Sequence, residues 1–504
     1  MFEKWAMLVL VGTTICYTFL TMHSAQSNKQ LATNAKLLRD ADEESPLSVE
    51  ARITALISVM TSYQKKIESI GKNILEDRNG TQAARVKIHT TDRKRLFAQD
   101  ENFFDELEAF PFVQTVFFKW NITEMRKYLF PTQYPFTSTD CKLIGKFTNL
   151  TKCSTDISGL LRGHKLDDSF VRLGLPSGYS HDSVHQTTWT FLHVIQDAAV
   201  SEHGDVIAGN LTLTPQKCRY NETGRTPSNY SNLELHDQVF AVHQFWDQAF
   251  YHSHFESVPR LAPYVKFLND NPSVKIFLRG GESNVRYLGI KNLDQRRLKD
   301  WKFRARVLYS PAGSPCGYPP LLTTQLMSLY AKRGLENNPE KQNKIILIKR
   351  SHKRFFRQHE EIAAMLEAQA SEHDLELFVF RDDPVPNINL TRRMFNEAFM
   401  IIAPHGAGES NMLYAQPGTV ILEGMCFESK VKVNTCYQLS ADLLGMRYYG
   451  MLFKSGCFDI TAKQMENPVK YFLQHLLKTT HTITKMRPVK ERAFNRVTCA
   501  NKTV

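Results

Sequence analysis

The chain has 504 residues, which is enough for two or three domains that each bury a core. Its hydrophobic (42%) and charged (23%) fractions are ordinary for folded proteins, and 63 Lys and Arg against 51 Asp and Glu give a net charge of +12. The basic residues do not form the dense blocks typical of a nucleic-acid-binding arm, so we interpret the surplus as solubilising charge.

An uncharged apolar segment lies near the N-terminus. Residues 5–22 number 18, close to the roughly 20 that a helix needs to cross a bilayer. We interpret them as a transmembrane signal anchor, with residues 1–4 as a cytoplasmic tail; a secretory signal cleaved within residues 23–26 is the alternative. Either way the rest of the chain enters the secretory lumen. We expect a single-pass type II membrane protein of the Golgi apparatus or endoplasmic reticulum, a location that excludes nucleic acid as a partner.

Two further patterns are typical of lumenal proteins. Asn-x-Ser/Thr glycosylation acceptors occur at Asn79, Asn121, Asn149, Asn210, Asn221, Asn229, Asn389 and Asn501. Eight of the nine cysteines lie outside the anchor, and an even number in an oxidising compartment allows up to four disulfide bonds. We therefore expect a glycoprotein with disulfide bonds, whose pairing the spacing does not define.

Residues 23–102 are interpreted as a stem. Within residues 49–75, apolar side chains recur every seven positions at Ile53, Met60, Ile67 and Ile74. The repeat fits a short coiled coil that joins two copies of the chain into a homodimer. It fits an amphipathic helix packed on its own domain equally well.

The remaining chain is predicted to form two domains. In the first, residues 103–315, we predict strands at 239–245, 275–278 and 307–309 and a helix at 249–269. The Pro- and Gly-rich stretch 310–320 marks a hinge to the second domain, residues 316–490. The second domain alternates strands at 344–349, 375–380, 399–403 and 419–423 with helices at 360–372, 391–398 and 410–415. This alternation predicts two Rossmann-like α/β domains facing a ligand-binding cleft.

The loop after the strand 399–403 is the most informative for chemistry. His405 and the following residues join a buried strand to a helix, where unpaired N–H groups and the helix dipole favour phosphate. Gly406 and Gly408 allow a ligand to approach the backbone, although a purely structural turn also uses glycine. Glu423 ends the next strand and is placed to accept ribose hydroxyls. The chain has neither a Walker nor a dinucleotide-binding pattern, which disfavours NTP hydrolysis and dinucleotide chemistry.

Three segments resemble the signature of glycosyltransferase family 61. They are the stretch 403–423, the stretch 251–261 and the basic run 350–354, all within residues 239–450. The resemblance implies a fold of the GT-B type, with the donor nucleotide on the C-terminal domain and the acceptor on the N-terminal domain. It also implies inverting, metal-independent transfer of a sugar such as xylose or N-acetylglucosamine. The donor would be a nucleotide-sugar, UDP-linked, and the acceptor a glycan or glycoprotein.

The resemblance and the strand ends together give the candidate donor-binding residues Arg350, Arg354, His405, Gly406, Ala407, Gly408, Asn411 and Glu423. The manganese-binding pattern Asp-x-Asp occurs only at residues 40–42 in the stem, so we expect no metal and no other cofactor. Arg side chains and backbone N–H groups must then meet the charge of the diphosphate. The chain departs from the family at Ala249, where Asn is frequent, and at Glu409 and Ser410, where Leu-Thr is common. These departures keep open a second class, a catalytically inactive lumenal glycan-binding protein of the same fold.

The candidate catalytic residues lie on the predicted helix 249–269. His252 and Glu256 are four positions apart and therefore share a helical face with Arg260. Inverting transfer needs a general base on the acceptor hydroxyl, which we assign to His252 with Glu256 orienting it, or to Glu256 itself. Asp247, one turn earlier, is the next candidate, and a purely structural face is the alternative.

Overall fold

The computed structural model describes residues 48–76, 94–97, 103–119, 128–129, 169–171, 189–215, 230, 232–314, 316–317, 319–335, 342–425, 436–452 and 459–483. The predicted anchor and its tail lie outside these residues and stay predictions. Within the part of the chain that the structure describes, none of the helices combines the length and the apolar character that crossing a bilayer requires. Two predicted glycosylation acceptors fall inside it, Asn210 and Asn389, and both are exposed.

The described residues form a mixed α/β structure. The strands are β1 (Lys94–Phe97), β2 (Val113–Lys119), β3 (Ser169–Val171), β4 (Trp189–Val200), β5 (Val206–Ala208), β6 (Leu211–Thr214), β7 (Leu235–Ala241), β8 (Lys275–Phe277), β9 (Phe303–Pro311), β10 (Lys344–Lys349), β11 (Glu376–Arg381), β12 (Ala398–Pro404), β13 (Val420–Gly424) and β14 (Arg447–Leu452). The α-helices are α1 (Val49–Glu76), α2 (Phe103–Leu107), α3 (Phe250–His252), α4 (Val265–Asp270), α5 (Glu282–Val285), α6 (Leu293–Arg296), α7 (Leu321–Ala331), α8 (His359–Ser371), α9 (Ile388–Asn396), α10 (Cys436–Leu443) and α11 (Ala462–Ile483). Short 3₁₀ helices cover Val258–Tyr264, Arg286–Leu288 and Ala407–Tyr414, and a π-helical segment covers Ser253–Ser257.

The first sheet has the strand order β1-β6-β5-β4-β9-β7-β8, and β2 also pairs with β4. Its pairs β7–β8, β7–β9 and β1–β6 are parallel. The pairs that β4 makes with β2, β5 and β9, and the pair β5–β6, are antiparallel. This sheet therefore departs from the predicted Rossmann-like arrangement, because residues 113–214 supply antiparallel strands that the sequence analysis did not predict.

The second sheet has the order β11-β10-β12-β13-β14-β3. The five strands from β10 to β14 are parallel, and β3 adds to the edge in the antiparallel direction. β12 and β13 are buried along their whole length, as expected for a parallel sheet covered on both faces. The order reverses between β10 and β12, and the crevice outside the carboxyl ends of such strands is the usual ligand position in open α/β sheets.

Helix α1 belongs to the globular part of the chain. Its residues Ile53, Leu56, Met60 and Ile67 are buried in the same core cluster as residues of β2, β4, β9 and α7. The repeated apolar face is therefore the packed face of an amphipathic helix, the second interpretation of the heptad pattern, and it is not free to pair with another copy. The proposed stem boundary at residue 102 is also wrong, because β1 pairs with β6 inside the first sheet.

The predicted boundary near residue 315 does not separate two independent cores. One cluster of buried side chains contains Phe240 and Val307 from the first sheet together with Ile346 and Ile401 from the second. Strand β3 comes from the first half of the chain and joins the second sheet. The two halves therefore share buried apolar surface, which fixes the strand ends of one sheet relative to those of the other.

Candidate active site

The candidate residues gather where the two sheets present the carboxyl ends of their parallel strands. β7 leads to Asp247, β10 ends directly before Arg350, and β12 ends directly before His405. Tyr437, in the first turn of α10, lies between the two halves of the site. Its ring centroid is 5.2 Å from that of Tyr251 and 5.0 Å from that of His405. The predicted acceptor side and the predicted donor side therefore surround one site.

The predicted helix at 249–269 is present but segmented. It runs as α3, the π-helical segment, the 3₁₀ helix and α4. Pro259 and Pro263 carry no N–H group, so regular α-helical bonds cannot continue through them. Single π turns often occur at functional sites, and this one holds Glu256 one turn after His252.

His252 and Glu256 form a hydrogen-bonded pair at this turn. His252 Nδ1 lies 2.8 Å from Glu256 Oε2, and the imidazole is 21% exposed while the carboxylate is fully buried. Glu256 also accepts from Gln244 Nε2 at 3.1 Å and from the Gly317 N–H at 2.7 Å. The carboxylate is held by three donors, so it fixes the imidazole. Because Nδ1 is engaged, Nε2 is the nitrogen of His252 that can take a proton from a bound hydroxyl.

Asp247 does not share the face of this helix. The helix begins at Phe250, and Asp247 lies in the turn before it, where Trp246 has a positive φ of 72°. The buried Asp247 carboxylate is hydrogen-bonded to His243 Nδ1 and accepts from the Arg279 N–H at 3.3 Å. The expectation that Asp247 lies one helical turn earlier is therefore wrong, and its contacts are those of a side chain that supports the turn.

Arg260, predicted on the same face as His252, is a structural side chain. It donates to the backbone oxygens of Val242 at 2.7 Å, Ala312 at 2.8 Å and Pro311 at 2.5 Å. Val242 directly follows β7, Pro311 is the last residue of β9, and Ala312 comes next. The guanidinium therefore connects the ends of the two strands. Burial lowers the pKa of Arg260 to about 10, which leaves it charged at neutral pH.

The loop after β12 is covered by Arg350. Arg350 Nη1 donates to the His405 carbonyl oxygen at 2.8 Å. A Cβ atom at Gly406 would lie 1.9 Å from that Nη1, whereas a Cβ atom at Gly408 would lie 2.9 Å from Ile348 Cγ2. Gly406 is therefore the glycine beside the charged group. Gly408 is needed for packing against β10, which corrects the reason expected for it.

A buried hydrogen-bond network lies under the same loop. His405 Nδ1 bonds Glu423 Oε1, and the Tyr448 hydroxyl donates to Glu423 Oε2. Glu423 is fully buried, so its oxygens fix His405 and Tyr448 and do not face a ligand as the ribose-binding prediction required. The Gly406 N–H donates to Glu409 Oε2 at 3.0 Å, so a carboxyl group of the chain occupies one amide that the predicted phosphate site would use.

The electrostatics of the loop differ on its two sides. Burial raises the pKa of Glu409 well above its ordinary value, and the neighbouring Glu423 adds to the effect. Oε1 of Glu409 is buried without a hydrogen-bond partner among the residues that the structure describes. On the other side, burial and the nearby Arg354 lower the pKa of Arg350. Arg350 and Arg354 therefore lie near the same loop as Glu409, a carboxyl group that favours its neutral form.

The other predicted donor residues have different surroundings. Arg354 is partly exposed and has a positive φ of 56°. Ala407 is half-buried, at the start of the 3₁₀ helix that follows the loop. Asn411 is buried, and its Nδ2 donates to the Gly408 carbonyl oxygen at 2.9 Å. Asn411 therefore shapes the loop from inside, and Arg354 lies near enough to Arg350 to add to burial in lowering the pKa of that guanidinium.

Sequence reasoning missed Tyr437 and misassigned Cys436. Cys436 was counted among the cysteines available for disulfide bonds, but it is buried and forms no disulfide bond. Burial raises the pKa of its thiol, and Glu423 and Glu409 add to the effect, so the thiol stays protonated. Outside residues 5–22, seven other cysteines remain, which allow three disulfide bonds within the chain at most; Cys316 is disulfide-bonded. No spacing pattern marks α10 as part of the site, because its contacts with Tyr251 and His405 come from the packing of the two halves.

Two groups of side chains at the site have the residue types of metal ligands. His252 and Glu256 lie near Cys316, but the disulfide bond removes the Cys316 thiolate from this set. The ligand atoms of His405, Glu409 and Glu423 lie within 4.8 Å of one another. Each of these three side chains already bonds a group of the chain. Metal independence stays a prediction.

Comparison with known proteins assigns a family to part of the chain. Residues 250–422 match the family model described as Glycosyltransferase 61. No curated protein matches the chain. The matched segment runs from α3 to β13 and contains His252, Glu256, Arg350 and the loop after β12. The resemblance found in the sequence motifs is confirmed over this segment.

Proposed function

Residues 250–422 belong to glycosyltransferase family 61, and we propose that the protein is an inverting glycosyltransferase with His252 as its general base. The observation that carries the proposal is the juxtaposition of two groups around Tyr437. One is the His252–Glu256 pair, and the other is Arg350 over the loop after β12. A proton acceptor and a cationic loop at facing strand ends are what displacement of a diphosphate by a hydroxyl requires.

The reaction follows from these two groups. His252 Nε2 takes the proton of an acceptor hydroxyl, and the oxygen forms a bond to the anomeric carbon of the donor sugar. The bond from that carbon to the diphosphate breaks, and the diphosphate leaves with the electron pair. Attack from the face opposite the leaving group inverts the anomeric centre. Arg350 and Arg354 stabilise the negative charge that develops on the diphosphate, without a metal ion.

The substrates and location complete the proposal. The donor is a nucleotide-sugar, UDP-linked, carrying xylose or N-acetylglucosamine, bound in a GT-B arrangement by the second sheet. The acceptor is a glycan or glycoprotein bound beside His252. The reaction takes place in the lumen of the Golgi apparatus or endoplasmic reticulum, with residues 5–22 as the membrane anchor. The uncharged N-terminal segment and the two exposed glycosylation acceptors support this location.

One observation favours the second candidate function, a glycan-binding protein that does not transfer. Glu409 stands where the family commonly has an apolar residue, and its carboxyl group accepts the Gly406 N–H at 3.0 Å. A phosphate would have to displace this carboxyl group to use the same amide. The inactive protein would still bind glycans beside His252 but would bind nucleotides weakly or not at all.

Substitution of the base tests the proposal. His252→Ala should lower kcat by about 10²- to 10⁴-fold, the usual contribution of a positioned general base, with little change in donor affinity. Glu256→Gln should lower kcat less, because glutamine keeps a hydrogen-bond acceptor for Nδ1 but cannot stabilise the imidazolium. His373→Ala is the matched control, since His373 is also partly exposed and bonds Gln369 O at 3.0 Å in the turn after α8. Transfer by His252→Ala at the wild-type rate would refute the assignment.

A further inference from the structure

Trp246 has an unusual position between β7 and the segmented helix. Its side chain is 37% exposed, and its φ of 72° is rare for a bulky residue. The turn around it is closed by the Asp247 N–H donating to Gln244 O at 3.1 Å and the Ala249 N–H donating to Trp246 O at 2.7 Å. The strained backbone therefore holds a large aromatic ring that is more than one third exposed. Such outliers are concentrated at functional sites.

The indole ring of Trp246 lies beside the proposed base. Its centroid is 6.4 Å from that of the His252 imidazole, and the two planes differ by only 24°. Phe245 packs edge-on against the indole at 4.8 Å and 72°, and Phe245 is itself only 9% exposed. The indole is therefore supported from the protein side and held next to the imidazole in nearly the same orientation.

We propose that Trp246 is the platform for a sugar ring of the acceptor, which places an acceptor hydroxyl at His252 Nε2. One face of a pyranose consists of C–H groups and packs on a flat aromatic ring, while its hydroxyls point outward at the edge. An indole beside an imidazole of similar orientation therefore presents an apolar surface and a proton acceptor to the same sugar. The inference rests on the proposed transferase function, and it specifies that the part of the acceptor that reacts is a carbohydrate. Trp246 lies before the matched segment 250–422, so the family match does not assign this residue.

The chemistry favours a carbohydrate over a peptide at this position. The indole of Trp246 offers a flat apolar surface on which the C–H face of a sugar ring packs. Gln248 and Ala249, which follow it in the chain, are also exposed, so the turn around Trp246 lies at the protein surface. An acceptor bound through its polypeptide alone would not need an aromatic face within 6.4 Å of the base.

Saturation-transfer NMR with methyl glycosides of mannose, galactose, N-acetylglucosamine and xylose tests the platform directly. The wild-type protein should bind at least one glycoside at millimolar concentration, with saturation strongest on the C–H groups of one ring face. Trp246→Ala should weaken that binding about tenfold, as expected for loss of one aromatic contact with its buried area. Trp246→Phe should restore most of it, because phenylalanine keeps a flat ring.

Leu235→Ala is the control, since Leu235 is 43% exposed and starts the same strand whose end leads to Trp246. It should bind the glycoside as the wild type does. Equal glycoside affinity in Trp246→Ala and wild type, or no binding of any glycoside by the wild type, would overturn the proposal. Binding of acceptor peptides without sugar that depends on Trp246 would also overturn it.

The outcome is separable from that of the proposed function. Glycoside binding is measured without donor, so it tests the platform even in a protein that does not transfer. If nucleotide-sugars are not turned over but glycosides bind through Trp246, the transferase proposal fails and the sugar platform stands. If transfer occurs, Trp246→Ala should raise KM for the acceptor about tenfold, and Trp246→Phe should largely reverse that rise.

Discussion

Adding one methyl group at Gly406 tests where the diphosphate of the donor binds. The φ of Gly406 is 166°, an extended conformation that alanine adopts without strain. The new Cβ would lie 1.9 Å from Nη1 and 2.5 Å from Cζ of Arg350. The guanidinium must therefore swing away and lose its hydrogen bond of 2.8 Å to the His405 carbonyl oxygen.

Gly406→Ala should affect nucleotide binding, whereas Gly408→Ala should mainly affect the stability of the fold. In Gly406→Ala only the end of a flexible side chain moves, so the loss of unfolding free energy should be limited to about 1.5–3 kcal/mol, the contribution of one hydrogen bond from a charged group. A hydrogen bond to a charged group is worth about 1.5–3 kcal/mol, so Gly406→Ala should weaken binding of a nucleoside diphosphate about 10- to 100-fold. Gly408→Ala should instead lower the unfolding temperature, because its Cβ would lie 2.9 Å from Ile348 Cγ2 in the core.

Calorimetric titration of the purified protein with UDP, and then with other nucleoside diphosphates, measures the effect of Gly406→Ala on binding. Arg350→Lys should also weaken binding, because lysine lacks the planar fork of arginine. The double variant Gly406→Ala with Arg350→Lys should lose much less than the sum of the single losses, since both changes act through one guanidinium. Wild-type affinity in Gly406→Ala, or additive losses in the double variant, would refute the placement of the diphosphate.

Two further predictions concern the supporting groups. Glu409 has a raised pKa in the folded protein, so its favourable contribution is complete below its unfolded pKa and is lost as pH rises through its folded pKa. Between pH 5 and pH 8, the unfolding free energy should therefore fall less in Glu409→Gln than in the wild type, as measured by urea titration. An equal fall in the two proteins would contradict the argument that burial raises the pKa of Glu409. Arg260→Met should cost about 3 kcal/mol, because three buried carbonyl oxygens lose their donor. The control Arg333→Met, which removes an exposed ion pair with Glu50, should cost about 0–1 kcal/mol; equal costs would show that Arg260 is not the tie between β7 and β9.

The second sheet could be predicted well from the sequence. The strand predicted at residues 344–349 matches β10 in both bounds, and the strand predicted at 399–403 lies within β12. Both are continuous apolar runs followed by turns, which is the pattern of strands buried on two faces. The position of the chemistry then follows from the topology, because loops after neighbouring parallel strands meet at one edge.

The first sheet was predicted only in its parallel part. Residues 206–214 form a hairpin, β5 and β6, around the two-residue connection Gly209-Asn210, and Gly209 has a positive φ of 52°. This dipeptide between short apolar runs is a recognised hairpin signal that the sequence analysis did not use. The contribution of α1 to the core could not be decided, because a heptad pattern describes equally a helix that packs on its own domain and one that pairs with another chain.

The site was predicted in its residues but not in all their roles. His252, Glu256, Arg350 and His405 lie around one site, as the spacing and strand ends indicated. Whether a carboxylate faces a ligand or the interior depends on tertiary packing, which is why Glu423 was misassigned. The sequence analysis placed Asp247 one helical turn before His252. The positive φ of Trp246 instead puts Asp247 in a turn, and the helix begins only at Phe250.

The most direct test of the central claim is turnover of nucleotide-sugars by the purified protein after exhaustive chelation with EDTA. The proposal predicts release of nucleoside diphosphate from one member of a UDP-sugar panel, with the sugar transferred to a glycan acceptor in the inverted configuration. The rate should be unchanged by added Mn²⁺. Turnover that disappears on chelation and returns with Mn²⁺ would contradict the metal-free mechanism and point to His405, Glu409 and Glu423 as ligands. Absence of turnover with every donor, with glycan binding retained, would replace the transferase with the glycan-binding protein.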